Sequence, residues 1–122
     1  MVKSIVIICE ESPIGKNSVV ESIRMAAGVL AVGDVENCKV ILLSDSVYFL
    51  NKHLNPKAVN MDEFTNILRL IELSDLEIYV HDEALRIAGF KPTDLILIDN
   101  VKVVDNKKIS QLILEADMSF KY

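Results

Sequence analysis

His81 and Asp82 stand where an apolar run, Leu76-Glu77-Ile78-Tyr79-Val80, gives way to a helical pattern that ends at Gly89. Histidine titrates near neutrality, so an imidazole at such a junction suits proton transfer or contact with a partner's thiol. The structural alternative makes Asp82 the helix N-cap, with Glu83 in the first turn and His81 on a polar rim. Cys9 closes another apolar run, Ser4-Ile5-Val6-Ile7-Ile8. A reactive thiol needs positive surroundings, whereas Glu10 and Glu11 disfavour the thiolate. Cys9 and His81 are the two catalytic candidates. Cys38 reads as a small buried apolar residue.

The acids Glu10, Glu11, Asp45 and Asp82, with Lys121, form a second set of rim or ligand candidates. Such a set is similar to the carboxylate cluster by which phospho-acceptor receiver domains hold Mg²⁺. The spacing is poor for that chemistry, and the acids read better as a solvated rim. Gly15-Lys16 precedes a helix but lacks the spacing and the Ser or Thr of a phosphate-binding loop. His53 has no evident partner, and no metal-ligand spacing occurs. Neither a metal nor a cofactor is expected.

These residues are positioned by alternating strands and helices. Ser4 to Cys9 is a β-branched run of the kind buried on both faces of a sheet. Ser18-Val19-Val20-Glu21 looks like a capping box, opening a helix whose inward positions are Val19, Val20, Ile23, Ala26, Ala27, Leu30 and Ala31. Lys39 to Leu43 is a second strand, followed by a short, unusually apolar turn or helix, Val47-Tyr48-Phe49-Leu50. Asn60 to Glu63 fits a further cap, leading into a helix with Phe64, Ile67, Leu68 and Ile71 inward. Leu76 to Val80, Val101 to Val104 and Met118 to Tyr122 complete five strands, with helices ending at Gly89 and spanning Lys107 to Glu115. A regular βαβα order implies an α/β fold, a mostly parallel five-stranded sheet in a three-layer α/β/α sandwich.

At 122 residues the chain is long enough for one domain with its own core. Its apolar content of 51% exceeds what so small a domain easily hides, so an oligomer interface is expected. Val47, Tyr48, Phe49 and Leu50 are the candidates for it. Thirteen basic against 18 acidic residues, net charge −5, argue against direct nucleic-acid binding. No run approaches the roughly 20 apolar residues of a membrane span, and no targeting segment is visible. Two cysteines without close spacing read as reduced thiols of a cytoplasmic protein.

The ordered series Ile8 to Gly15, Leu42 to Leu50, Asn55 to Val59, Leu70 to Val80, Leu85 to Phe90 and Glu115 to Phe120 resembles the DsrE/DsrF-like sulfur-relay family, closest to its DsrF/TusC branch. The resemblance implies a subunit of a homo- or hetero-oligomer with DsrE/DsrH-like (TusD/TusB-like) partners, passing persulfide sulfur towards tRNA thiolation or sulfur metabolism. It also implies that the sulfur-accepting cysteine of active members falls at His81 or Asp82. A histidine cannot hold a persulfide, so the chain is expected to support the relay without carrying sulfur. Two alternatives stay open: a carrier using Cys9, and a stand-alone oligomeric binding module.

Overall fold

The computed structural model describes residues 3–13, 18–51, 65–96 and 98–122. Five strands, β1 (Ser4–Cys9), β2 (Asn37–Leu42), β3 (Glu77–His81), β4 (Val101–Val104) and β5 (Met118–Lys121), form one sheet in the order β4-β3-β2-β1-β5. Every neighbouring pair is parallel. Helices α1 (Ser18–Val32), α2 (Thr65–Ser74), α3 (Asp82–Ala88) and α4 (Asn106–Glu115) connect the strands, with a 3-10 helix, Ser44–Leu50, after β2.

The pleat divides the apolar residues of the three central strands between two cores. Ile7 and Cys9 of β1, Val40 and Leu42 of β2, and Ile78 and Val80 of β3 pack against α1, α2, α3 and the 3-10 helix. Val6, Ile41 and Tyr79, their neighbours in sequence, face Ile109 and Leu112 of α4. The arrangement follows from connection handedness. Crossovers from β1 to β4 step in one direction and stay on one face. The return from β4 to β5, on the far side of β1, runs the other way and must cross the opposite face. The fold is the three-layer α/β/α sandwich that the alternation predicts.

At the β1/β2 pair, Ile5 to Cys9 lie opposite Cys38 to Leu42, so the strand ends that the sequence singles out share one rim. β3 continues one residue beyond the expected Val80, placing His81 opposite Val104 of β4. The expected features at Gly15, Lys16, His53, Asn60 to Glu63 and Phe64 lie outside the described residues. Among the described residues, no helix is long and apolar enough to cross a membrane.

Candidate functional site at the carboxyl ends of the strands

In a parallel sheet the carboxyl ends of the strands carry the loops from which sites are built, particularly where the strand order reverses. That reversal lies between β1 and β5. It is closed by an ion pair, Lys121 Nζ to Glu10 Oε2 at 2.7 Å. The hydrogen bond to Glu10, and its charge, hold the Lys121 ammonium above its ordinary pKa. Glu11 accepts a hydrogen bond from Ser18 Oγ at 2.9 Å. The expected capping box is thereby replaced: Ser18 turns to Glu11, and Glu21 pairs with Arg24 at 3.0 Å. Among the described residues no three His, Cys, Asp or Glu side chains converge as metal ligands would.

Cys9 lies at the centre of this rim yet inside the protein, with no exposed surface. Its Sγ donates to Ser22 Oγ at 2.9 Å, and Ser22 Oγ donates onward to the carbonyl of Ser18 at 2.6 Å. With its proton committed to Ser18, the Ser22 oxygen presents a lone pair to the sulfur, which suits a thiol and not a thiolate. Burial pushes the Cys9 thiol up from its ordinary pKa, away from the reactive form. The Cys9 carbonyl accepts from Leu43 N at 2.9 Å and from Ser46 Oγ at 2.8 Å. Cys9 thus anchors α1 and the loop after β2. Ser22 and Ser46, both fully buried, are the partners that sequence reasoning missed. The signal was there in Ser22, a lone hydroxyl on the inward stripe between Val19 and Ile23.

Cys38, in β2, is 2% exposed, and burial pushes its thiol up to about 11. Neither cysteine of the chain offers its sulfur to solvent. β2 also separates β1 from β3, which puts the Cys9 and His81 backbones about 10 Å apart.

His81, not Asp82, is the residue preceding α3, in extended conformation and with no side-chain cap bond. This corrects the expected cap by one position. The Asp82 carboxylate folds back onto the next amide, Glu83 N, at 2.6 Å. The His81 side chain is mostly buried, and its Nε2 has no hydrogen-bond partner among the described residues. The nearest carboxylate oxygen, Asp82 Oδ1, is 3.9 Å away, beyond hydrogen-bond reach. Gly89 closes α3 in the left-handed conformation at φ 78°, with Gly89 N bonding to Arg86 O and Phe90 N to Leu85 O.

The Val47 to Leu50 cluster also needs correction. Val47 and Phe49 are fully buried in the larger core and cannot form an interface. Tyr48 is 36% exposed, its ring perpendicular to that of Phe90 with centroids 5.1 Å apart. The side chain of Leu50 lies outside what the structure describes. In a 3-10 helix residues i and i+3 eclipse, so Ser46 and Phe49 turn inward together while Asp45 and Tyr48 share the outer side. Asp45, Tyr48 and His81 meet there, across from α3, around an open cavity of about 460 Å³. Asp82 instead borders a separate opening with Asp105 and Lys107. The structure therefore unites Asp45 with His81 and leaves Cys9, Glu10, Glu11 and Asp82 outside that cavity.

The model of the DsrE/DsrF-like family matches residues 3–121. The chain belongs to that family. A curated relative, the intracellular sulfur oxidation protein DsrF of Allochromatium vinosum, is 28% identical over 137 aligned positions covering 100% of this chain and 98% of that protein. The crystal structure of the ychN protein from E. coli superposes with a TM-score of 0.80 at 21% identity, over 98% of this chain and 99% of the other. The Methanobacterium thermoautotrophicum protein MTH1491, of unknown function, gives 0.66 at 17% identity over both whole chains. These two likenesses establish the shared fold of the family member described here.

Proposed function

We propose that this chain is a DsrF/TusC-like subunit of a cytoplasmic sulfur-relay complex, one that supports persulfide transfer without carrying the sulfur. The observation that carries this reading is the burial of both its cysteines, Cys9 at 0% and Cys38 at 2% exposure. A relay thiol must meet two other proteins in turn, so it needs exposure and a lowered pKa. Burial denies Cys9 and Cys38 the first and pushes both pKa values the opposite way. Family membership, and a relative named for intracellular sulfur oxidation, support a role in sulfur handling. The resemblance places the cysteine of active members at the junction where this chain has His81 and Asp82, neither of which can hold a persulfide. The chemistry then falls to a cysteine-bearing DsrE-like subunit, with DsrH-like subunits completing the assembly.

The test is reconstitution. A DsrE-like subunit is incubated with a cysteine desulfurase and isotopically labelled cysteine, with and without this chain, and sulfur on the partner's thiol is followed with time. The reading expects faster or more complete loading when this chain is present, undiminished by Cys9→Ser. Identical loading in its absence would refute it.

A further inference from the structure

The cavity beside His81 has walls of two kinds. Asp45 on the 3-10 helix and Glu83 on α3 supply carboxylates, and Tyr48, Ala84 and Ile87 supply apolar surface. Ile87 is 78% exposed, a large aliphatic side chain left uncovered at the mouth. Glu83 shares its charge with Arg86 at 3.2 Å, an exposed pair one turn apart. Asp45 has no ion-pair partner among the described residues. Among the described residues the cavity wall carries two carboxylates and no lysine or arginine.

That balance selects the ligand. An anion, a persulfide included, would be repelled by the same carboxylates that would raise the pKa of any acid placed here. A cation on an apolar stem fits both walls at once. Its methylenes would lie along Ala84 and Ile87, its head would reach Asp45 and Glu83, and the half-exposed Tyr48 ring lines the same wall. Arginine meets these demands better than lysine, because its planar guanidinium stacks on aromatic rings and pairs with carboxylates through two parallel bonds. Arginine is also among the residues that most often anchor protein interfaces in such pockets.

We propose that the cavity between the 3-10 helix and α3 is a docking pocket for an arginine side chain of a partner subunit, held by Asp45 and Glu83 over the Tyr48 and Ile87 wall. The partner's being a relay subunit rests on the function proposed above; the ligand class rests on the cavity alone. His81 lines the same cavity, its Nε2 shielded from solvent.

The test uses the whole chain, isotopically labelled for NMR, titrated with acetyl-Leu-Arg-amide, its uncharged citrulline analogue, and acetyl-Leu-Glu-amide. The pocket predicts saturable shifts at Tyr48, Ala84 and Ile87 with the arginine probe and binding about tenfold weaker for citrulline. The Glu probe should not shift these residues. Asp45→Asn with Glu83→Gln, both at accessible positions, should abolish the discrimination while leaving the amide spectrum folded. Equal binding of arginine and citrulline, preference for the Glu probe, absence of saturable shifts, or an unaltered response in the double variant would each overturn the proposal. Shifts of these residues with protein concentration alone would assign the cavity to a second copy and overturn it as well. No thiol takes part, so these outcomes are independent of the sulfur-loading test.

Discussion

Cys9 Sγ donates to Ser22 Oγ at 2.9 Å, tying the end of β1 to the second turn of α1 inside the protein. A thiol used this way is structural, and its chemistry shows in stability. For Cys38, pushed up to about 11 from an ordinary 9.0, the folded state keeps a proton that the unfolded chain releases. The stability contributed by its protonated thiol is complete below about pH 9. It is lost as pH rises through about 11, a fall on the order of 2 kcal/mol. Cys9, also raised, acts in the same direction. Urea unfolding between neutral pH and pH 11 should show this slope, and Cys38→Ala should flatten it whatever its effect at pH 7.

Phe49 and Tyr48 are adjacent in the sequence and opposite in role. Phe49→Ala empties part of the core and should cost about 3–5 kcal/mol. Tyr48→Glu, at an outward position, should cost less than about 1 kcal/mol. In pull-down with a DsrE-like subunit the order reverses for Tyr48→Glu, which should lose association while its denaturant midpoint stays near wild type.

Gly89 holds φ 78° with nothing within 4 Å of where a Cβ would stand. The cost of Gly89→Ala is then conformational alone, about 1 kcal/mol. A thermal or urea midpoint checks it. A negligible shift would mean that the α3 terminus is not held in the left-handed conformation.

Asp117 ties β5 to the start of β1, its carboxylate accepting from Lys3 N at 2.8 Å and Ser4 N at 3.1 Å. These backbone bonds lower its pKa below the ordinary carboxylate value. The stabilisation is therefore present above the unfolded pKa and disappears as pH falls through the folded one. Asp117→Ala should speed amide exchange at the β1–β5 seam, notably at Tyr122 N, which bonds to Ile8 O at 2.9 Å. In wild type the same amide should lose protection on acidification, and in the variant that loss should be absent.

Much of this fold is legible in the chain because the apolar residues obey the periods of the elements. β1 is a β-branched run, α1 carries its inward stripe, and Gly89 marks the end of α3. The site was harder to read. Val47 to Leu50 looks uniformly apolar in sequence, and only the three-residue period of the 3-10 helix decides that Phe49 points in and Tyr48 out. Asp105 caps α4 by accepting from Lys108 N at 2.9 Å, so the helix opens at Asn106, one residue before the Lys107 expected from the sequence. The pairing of Cys9 with Ser22, and of Ser46 with the Cys9 carbonyl, joins residues 13 and 37 positions apart. A local pattern can place a hydroxyl inward, as the stripe of α1 does Ser22, but it does not name the partner.

Whether this chain carries sulfur is decided by intact-mass analysis and thiol mapping after incubation with a cysteine desulfurase and free cysteine. No sulfur should be added, and Cys9 and Cys38 should both stay protected from alkylation until the protein is unfolded. A reductant-reversible gain of one sulfur atom at Cys9, absent in Cys9→Ser, would contradict this expectation and make this chain a carrier.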